Sequence, residues 1–389
     1  MIIDKETNFI YFSSLIKSIE KYTPFWARLK RILVEKGIHY GFIEHTHDIW
    51  CRDYMPIQTG IRQFVQFDYF PDYYLSPKYI SQLTIPSEVS LDYTFELSKT
   101  DLIIDGGNIV KSDNSAILTD KIWKDNARLK KTTVLSLLKK ALGIERIYVI
   151  PQLPYDMTGH ADGMVRFIDD KNLIVADYSK ESKTWRTKMD RALEKTGLNI
   201  HLFPSETINR KNEHGDYTAE GVYINFLRIG NIILLPQFHL EKDAEACKRT
   251  QELFPDCEII PILSNEIAID GGVLNCVTWN IRMETTSKFH CFPLKRPDRA
   301  EQEAYVYGRL DFYLSTFDYR LIAKCFETVW NFSTGDIIGD GELKERTHRL
   351  LEKSQERNFI PQHYVDKTID LILEYLESIG QYGFQISEN

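Results

Sequence analysis

The chain has 389 residues, of which 43% are hydrophobic and 27% charged, with 20 Gly and 14 Pro. That is the composition of a globular protein long enough to bury a core without disulfide staples, and it excludes collagen-like, low-complexity and mostly disordered classes. Lys and Arg total 48 against 56 Asp and Glu, and a charge of −8 lacks the basic footprint of a nucleic-acid binder.

No stretch approaches the run of about 20 apolar residues that a membrane helix needs. The first segment, MIIDKETNFIYFSSLIKSIEK, mixes Asp4, Lys5, Glu6 and Lys17 among its apolar residues, unlike a signal peptide. A cytoplasmic location is therefore expected, with no nucleic-acid or membrane partner. The six cysteines, at 51, 247, 257, 276, 291 and 325, form no CxxC and no repeated spacing. They read as reduced thiols, one of which is available as a nucleophile.

One pattern recurs along the chain. An amphipathic helix stops at Gly or Pro, and a short apolar strand follows at once. Residues 24–36 (PFWARLKRILVEK) stop at Gly37 before IHYGFIE, and residues 129–142 (LKKTTVLSLLKKAL) stop at Gly143 before ERIYVIP. In the second helix Leu135, Leu138 and Leu142 lie at helical spacing. Residues 184–196 (TWRTKMDRALEKT) stop at Gly197 before NIHLFP, and residues 241–254 (EKDAEACKRTQELF) stop at Pro255 before CEIIPIL. Gly tolerates the positive φ of a helix C-terminus, and Pro cannot continue a helix.

The steps from Gly143 to Gly197 and from Gly197 to Pro255 are nearly equal, while Gly37 to Gly143 is about twice as long, which places a hidden unit near residue 90. Five similar units result. Two carry hairpin signals, DGMVRFIDDKNLIVADYS turning at residues 169–172 and GVYINFLRIGNIILLPQF turning at Gly230–Asn231. Self-similarity at this period predicts repeated α/β units packed around an axis. The repeat stops near Pro293. Residues 1–294 are thus expected to form the repeated domain and residues 295–389 a helical extension. Its run VDKTIDLILEYLESIG presents a stripe suited to packing on the core or on a second copy of the chain, as in a homo-oligomer.

The unusual residues fall just after each helix–strand step. They are Trp50-Cys51-Arg52-Asp53-Tyr54-Met55-Pro56, Asp105-Gly106-Gly107-Asn108, Gly159-His160-Ala161-Asp162-Gly163, Tyr223-Ile224-Asn225-Phe226 and Asp270-Gly271-Gly272-Val273-Leu274-Asn275-Cys276. Loops on a repeated scaffold should converge, bringing a Cys, a His, three acids and an Asn together. Singly, Asp105 reads as a turn residue and Asn225 as a cap. His160 and Asp162, two apart on an extended segment, should point the same way. Cys276 follows Gly271 and Gly272, which let backbone approach closely. Local pairs of zinc ligands are missing, as are Walker and GxGxxG loops, so no metal or cofactor is expected. A thiol-protease-like site would leave two acids unemployed.

The ordered set RDYMP after Trp50, DGGN, GHADG, YINF and DGGVLNC resembles the agmatine deiminase and bacterial-type peptidylarginine deiminase family, over roughly residues 24–290. That family belongs to the guanidino-group-modifying superfamily, whose pentein fold is a five-bladed α/β propeller of ββαβ units. The resemblance implies a hydrolytic deiminase acting on a small cationic guanidino substrate. Cys276 would be the nucleophile, His160 the general acid and base, and Asp53 and Asp162 the acids gripping the guanidinium. Asp105 would support the His, and Trp50, Arg52, Asn225, Gly271 and Gly272 would line the substrate. The sequence has Met55 where the family commonly has Gly, Asp105 where it usually has Glu, and Asn275 where agmatine deiminases commonly have His. Agmatine is the first substrate the resemblance implies. Free or peptidyl arginine, amidino transfer to an amine and a catalytically silent propeller are the alternatives.

Overall fold

A computed structural model describes residues 1–283 except 76–78, 92, 94 and 207–209. Met1–Met283 form one compact unit. The expected helical extension, 295–389, lies outside the described residues, as do Cys291 and Cys325.

In chain order, strand β1 (Phe9–Ser13) leads through helices α1 (Leu15–Ser18) and α2 (Thr23–Glu35) to β2 (His39–Ile43). Helix α3 (Cys51–Tyr54) precedes β3 (Ile57–Gln58), β4 (Gln63–Asp68) and β5 (Glu96–Ile103). Next come β6 (Val110–Lys111), β7 (Ser115–Thr119), α4 (Lys121–Asp125), α5 (Lys131–Leu142) and β8 (Arg146–Ile150). Strands β9 (Val165–Phe167), β10 (Asn172–Ala176) and β11 (Asn199–Phe203) enclose α6 (Lys183–Glu194). Strands β12 (Leu227–Ile229), β13 (Ile232–Gln237) and β14 (Glu258–Leu263) enclose α7 (Lys242–Leu253). Helix α8 (Asn265–Ala268) and β15 (Trp279–Ile281) complete the unit.

These strands make five separate three-stranded sheets, each built the same way: an outer strand antiparallel to the middle one, and the middle one parallel to the third. The parallel pair requires a crossover, which α2, α5, α6 and α7 supply. The sheet β15–β1–β2 joins the two ends of the unit, with Ile10 opposite Asn280.

Local chemistry explains most boundaries. Gly37, Gly143 and Gly197 take φ of 61°, 65° and 66° after their helices, a conformation costly for other residues. The buried stripe of α5 is Val134, Leu138 and Leu142 rather than the one starting at Leu135, which is only half-buried. The hidden unit is the sheet β3–β4–β5. Its crossover contains only 3₁₀ turns, Asp72–Leu75 and Ile80–Gln82, among the described residues, because Pro71, Pro77 and Pro86 interrupt the segment. Strand β5 is an edge strand exposed over much of its length, so it lacks an apolar signal.

Asn280 on β15 is a buried polar hub. Its Oδ1 accepts from Arg52 Nη2 at 2.5 Å, and its Nδ2 donates to Thr7 Oγ1 and Arg228 O at 3.1 Å each. Replacing Asn280 with Ala strands a buried guanidinium without its acceptor. The expected cost is about 1–3 kcal/mol in urea-induced unfolding of the full chain. A variant as stable as the parent would show that this junction carries no stability.

Candidate active site

The chemistry-bearing side chains occupy the connections between sheets. Each connection runs from the third strand of one sheet to the outer strand of the next: 44–56, 104–109, 151–164, 204–226 and 264–278. Asp53 sits on α3, Asp105 at the start of the second connection, His160 and Asp162 in the third, Asn225 in the fourth and Cys276 in the fifth. His160 and Asp162 lie in a loop and tight turn rather than in extended strand, yet both reach the same centre.

The contacts chain these residues together. Cys276 Sγ is 3.7 Å from Asp162 Oδ2 and 3.4 Å from Asn225 Oδ1. The Asp162 backbone N–H donates to Gly107 O at 3.1 Å, and the Gly107 N–H donates to Asp53 Oδ1 at 3.0 Å. His160 Nδ1 lies 3.5 Å from Asp53 Oδ1, and its Nε2 lies 2.9 Å from Asp105 Oδ2. Asn225 Oδ1 also accepts from the backbone N–H of Asn275 at 3.1 Å and of Cys276 at 3.4 Å, fixing the turn that bears the thiol. Glycine is required where backbone enters this packing. A Cβ on Gly107 would stand 2.6 Å from Asp53 Oδ1 and 2.7 Å from His160 Nδ1. A Cβ on Gly272 would stand 2.4 Å from the Trp50 ring, so Trp50 packs on bare backbone there, while Gly271 takes φ of 97°.

Arg52 departs from its expected place. Its Nε donates to Asn275 O at 3.2 Å, its Nη2 donates to Asn280, and its backbone N–H donates to Cys276 O at 3.2 Å. The guanidinium is therefore spent on the segment carrying the thiol rather than offered to a ligand. It also lines a cavity together with Asp4, Lys111, Asp162, Arg166 and Asn275. Sequence reasoning missed three neighbours. Lys121 Nζ is 3.4 Å from Asp105 Oδ2, the Tyr73 hydroxyl donates to the same oxygen at 3.4 Å, and Asn275 Nδ2 donates to Asp162 Oδ2 at 2.7 Å. Lys121 and Tyr73 carry no motif, and their partner lies far away in sequence.

Burial and charge set the protonation states. Asp53, Asp105, Asp162 and His160 are all at most 7% exposed. Burial alone would lower the His160 pKa, but Asp53, the bond to Asp105, and Asp162 hold it up at about 10. Burial pushes Asp53 up to about 7, with Asp105 and Asp162 adding to the rise and His160 opposing it. Burial would also raise Asp105, but His160 and Lys121 overcome that and hold it below the usual carboxylate range. Burial, then the charges of Asp162 and Asp53, push the Cys276 thiol well above its ordinary value. These shifts favour an imidazolium at His160 and a protonated thiol at Cys276. Of the four cysteines among the described residues, Cys51 and Cys257 are buried, with Cys51 donating to Tyr11 O at 3.6 Å. Cys276 is set beside the buried carboxylate of Asp162 and the amide oxygen of Asn225.

The raised His160 pKa predicts a pH dependence of stability. The folded protein holds the proton more tightly than the unfolded chain, whose imidazole titrates near 6.5. The stabilisation is fully present below that value and is lost as pH rises towards about 10. Thermal unfolding followed across this range should show Tm falling with pH more steeply than in His160→Gln. Parallel curves would place His160 outside this charge network.

Comparison with known proteins bears on the family and the fold. The model of the Porphyromonas-type peptidyl-arginine deiminase family matches residues 10–281. A Selenomonas ruminantium protein provisionally named agmatine deiminase is 25% identical over 305 residues, covering 67% of this chain and 81% of that protein. A Lactococcus lactis protein of the same provisional name is 24% identical over 208 residues, 46% of this chain, and the match spans only 57% of that relative's length. Among solved structures, the agmatine deiminase of C. jejuni superposes with a TM-score of 0.59 at 20% identity, covering 72% of this chain and 95% of that one. A provisionally named arginine deiminase of Porphyromonas gingivalis gives 0.56 at 20% identity, covering 72% and 97%. At these identities the superpositions show a shared α/β fold. With its family model spanning all five sheets, the chain belongs to the Porphyromonas-type peptidyl-arginine deiminase family.

Proposed function

We propose that this protein is a deiminase that hydrolyses a guanidinium to a ureido group and ammonia, with agmatine as substrate and N-carbamoylputrescine as product. The observation that carries this reading is a thiol 3.7 Å from one buried carboxylate, with a histidine between two others. The five sheets are read as blades of a propeller, with their connections meeting near its axis. All proposed catalytic groups come from residues 53–276, so the segment 295–389 supplies none.

A guanidinium is planar, cationic and rich in N–H donors, and buried carboxylates bind it through charge-assisted bonds. Asp53 and Asp162 hold it flat against the thiol. Its positive charge offsets the carboxylates that keep Cys276 protonated, so substrate arrival favours the thiolate, the thiol proton passing to solvent water. The thiolate attacks the central carbon, forming a C–S bond. The imidazolium of His160 gives its proton to the departing nitrogen, the C–N bond breaks and ammonia leaves. His160 then takes a proton from water, whose oxygen adds to the thiouronium carbon. Collapse breaks the C–S bond, the added hydroxyl's proton returns to the sulfur to restore the thiol, and the ureido product leaves. Arg52 and Asn225 hold the Cys276 segment, and Trp50 with Gly271 and Gly272 shapes the wall beside it.

The engagement of two arginines that line the cavity supports agmatine over free arginine. Arg166 pairs with Asp4 and donates to Phe226 O, and Arg228 donates to Gly230 O and stacks on Phe254. Both are engaged, leaving neither free to receive a substrate carboxylate. Among guanidino compounds, agmatine should therefore release ammonia fastest. Cys276→Ser should lower turnover at least about 10³-fold without loss of fold. Asp162→Asn should cost on the order of 2–5 kcal/mol in kcat/KM. Unchanged ammonia release from Cys276→Ser, or turnover of no guanidino compound, would overturn the reading. Faster turnover of arginine peptides would reassign the substrate.

A further inference from the structure

Lys121, at the start of α4, is 5% exposed and faces anions on several elements. Its Nζ is 2.7 Å from Asp125 Oδ2 on its own helix, 3.4 Å from Asp105 Oδ2 and 3.8 Å from Asp72 Oδ1. It also lies 5.8 Å from the centre of the Tyr73 ring, and Asp72 is shared with Lys124 at 2.5 Å on the solvent side. A lysine so deeply buried persists only with paired charge.

Its placement bears on the catalytic histidine. Asp105 Oδ2 receives His160 Nε2, Lys121 Nζ and the Tyr73 hydroxyl together, while Asp105 Oδ1 is buried without a hydrogen-bond partner among the described residues. One oxygen thus divides its acceptor strength between the imidazole and the ammonium. His160 itself faces Asp53, Asp105 and Asp162, with the Tyr73 ring 6.2 Å away. Three carboxylates around one imidazolium favour keeping its proton, whereas an acid catalyst must give it up.

We propose that Lys121 is a positioning residue that draws charge from Asp105 and so keeps the His160 imidazolium acidic enough to donate its proton, with Asp125 as the counterweight that limits this draw. Its catalytic consequence rests on the deiminase reading; the electrostatic effect itself does not. The signs are opposite for the two partners. Removing the Lys121 cation raises the proton affinity of both Asp105 and His160. Removing the Asp125 anion leaves Lys121 freer to act on Asp105 and lowers it.

The test is the titration of His160 in the full-length protein without substrate, followed by NMR of labelled histidine and assigned with His160→Gln. Lys121→Met should move the midpoint up by about one pH unit, and Asp125→Asn should move it down. Lys121→Arg should stay near the parent. A Lys121→Met midpoint equal to the parent's, or both variants shifting in the same direction, would overturn the proposal. Should Lys121→Met fail to fold, an unmoved midpoint in Asp125→Asn does so alone. In the ammonia assay, the alkaline limb of kcat should follow the NMR midpoints while KM stays within a few-fold. A parent protein with no guanidino turnover sinks the deiminase reading and leaves the titration comparison standing.

Discussion

Burying three carboxylates within reach of one another is the constraint around which this structure is organised. Asp53, Asp105 and Asp162 are each nearly inaccessible, and like charges so placed repel strongly unless cations or donors are brought to them. The chain supplies these from different elements. His160 stands between Asp53 and Asp105, Lys121 reaches Asp105 from α4, Gly107 N–H faces Asp53, and Asn275 donates to Asp162. Burial and the neighbouring acids push Asp53 up to about 7, so its charge is poorly compensated and the centre is short of positive charge. Under the proposed reaction, the guanidinium of the substrate supplies that charge.

The same constraint dictates backbone as well as charge. Five connections can deliver polar side chains to one point only if some of them pass with no side chain at all. Gly107 slots between Asp53 and His160, and Gly272 lies under Trp50. A Cβ on Gly106 would stand 2.1 Å from Arg52 O, so the second connection is pressed directly onto the first. Polar groups then fasten the ends: Asn225 holds the Cys276 turn, while Arg52 and Asn280 join that turn to the sheet that closes β1 against β15. Stability and geometry of the site are therefore carried by the same residues.

The four α-helical crossovers show why the repeat is uneven in strength along the chain. Where α2, α5 and α6 cross, Phe25, Leu29 and Leu33, then Val134, Leu138 and Leu142, then Trp185, Met189 and Leu193 bury one face. The sheet β3–β4–β5 keeps the same strand order with a crossover of 3₁₀ turns and aromatic side chains. One of those turns places Tyr73 against Asp105 and His160. The irregular crossover thus brings Tyr73 to the same Asp105 oxygen that Lys121 reaches from the crossover between β7 and β8.

Legible in the chain itself were the α/β repeat, three of its helices with their glycine stops and a fourth with its proline stop, and the set of residues that meet: Asp53, Asp105, His160, Asp162, Asn225 and Cys276. These were legible because periodicity, positive-φ glycines and chemically unusual residues are local signals recurring at one interval. The unit near residue 90 was legible only as a gap, because β5 is exposed and its crossover is broken by proline. Only the tertiary structure decided that Arg52 serves the thiol's own segment, that Asn275 donates to Asp162 and that Lys121 and Tyr73 share Asp105 Oδ2. These pairings join positions far apart in the chain. A buried ammonium or hydroxyl shows its partner only when folding removes water and leaves a single neighbour within reach.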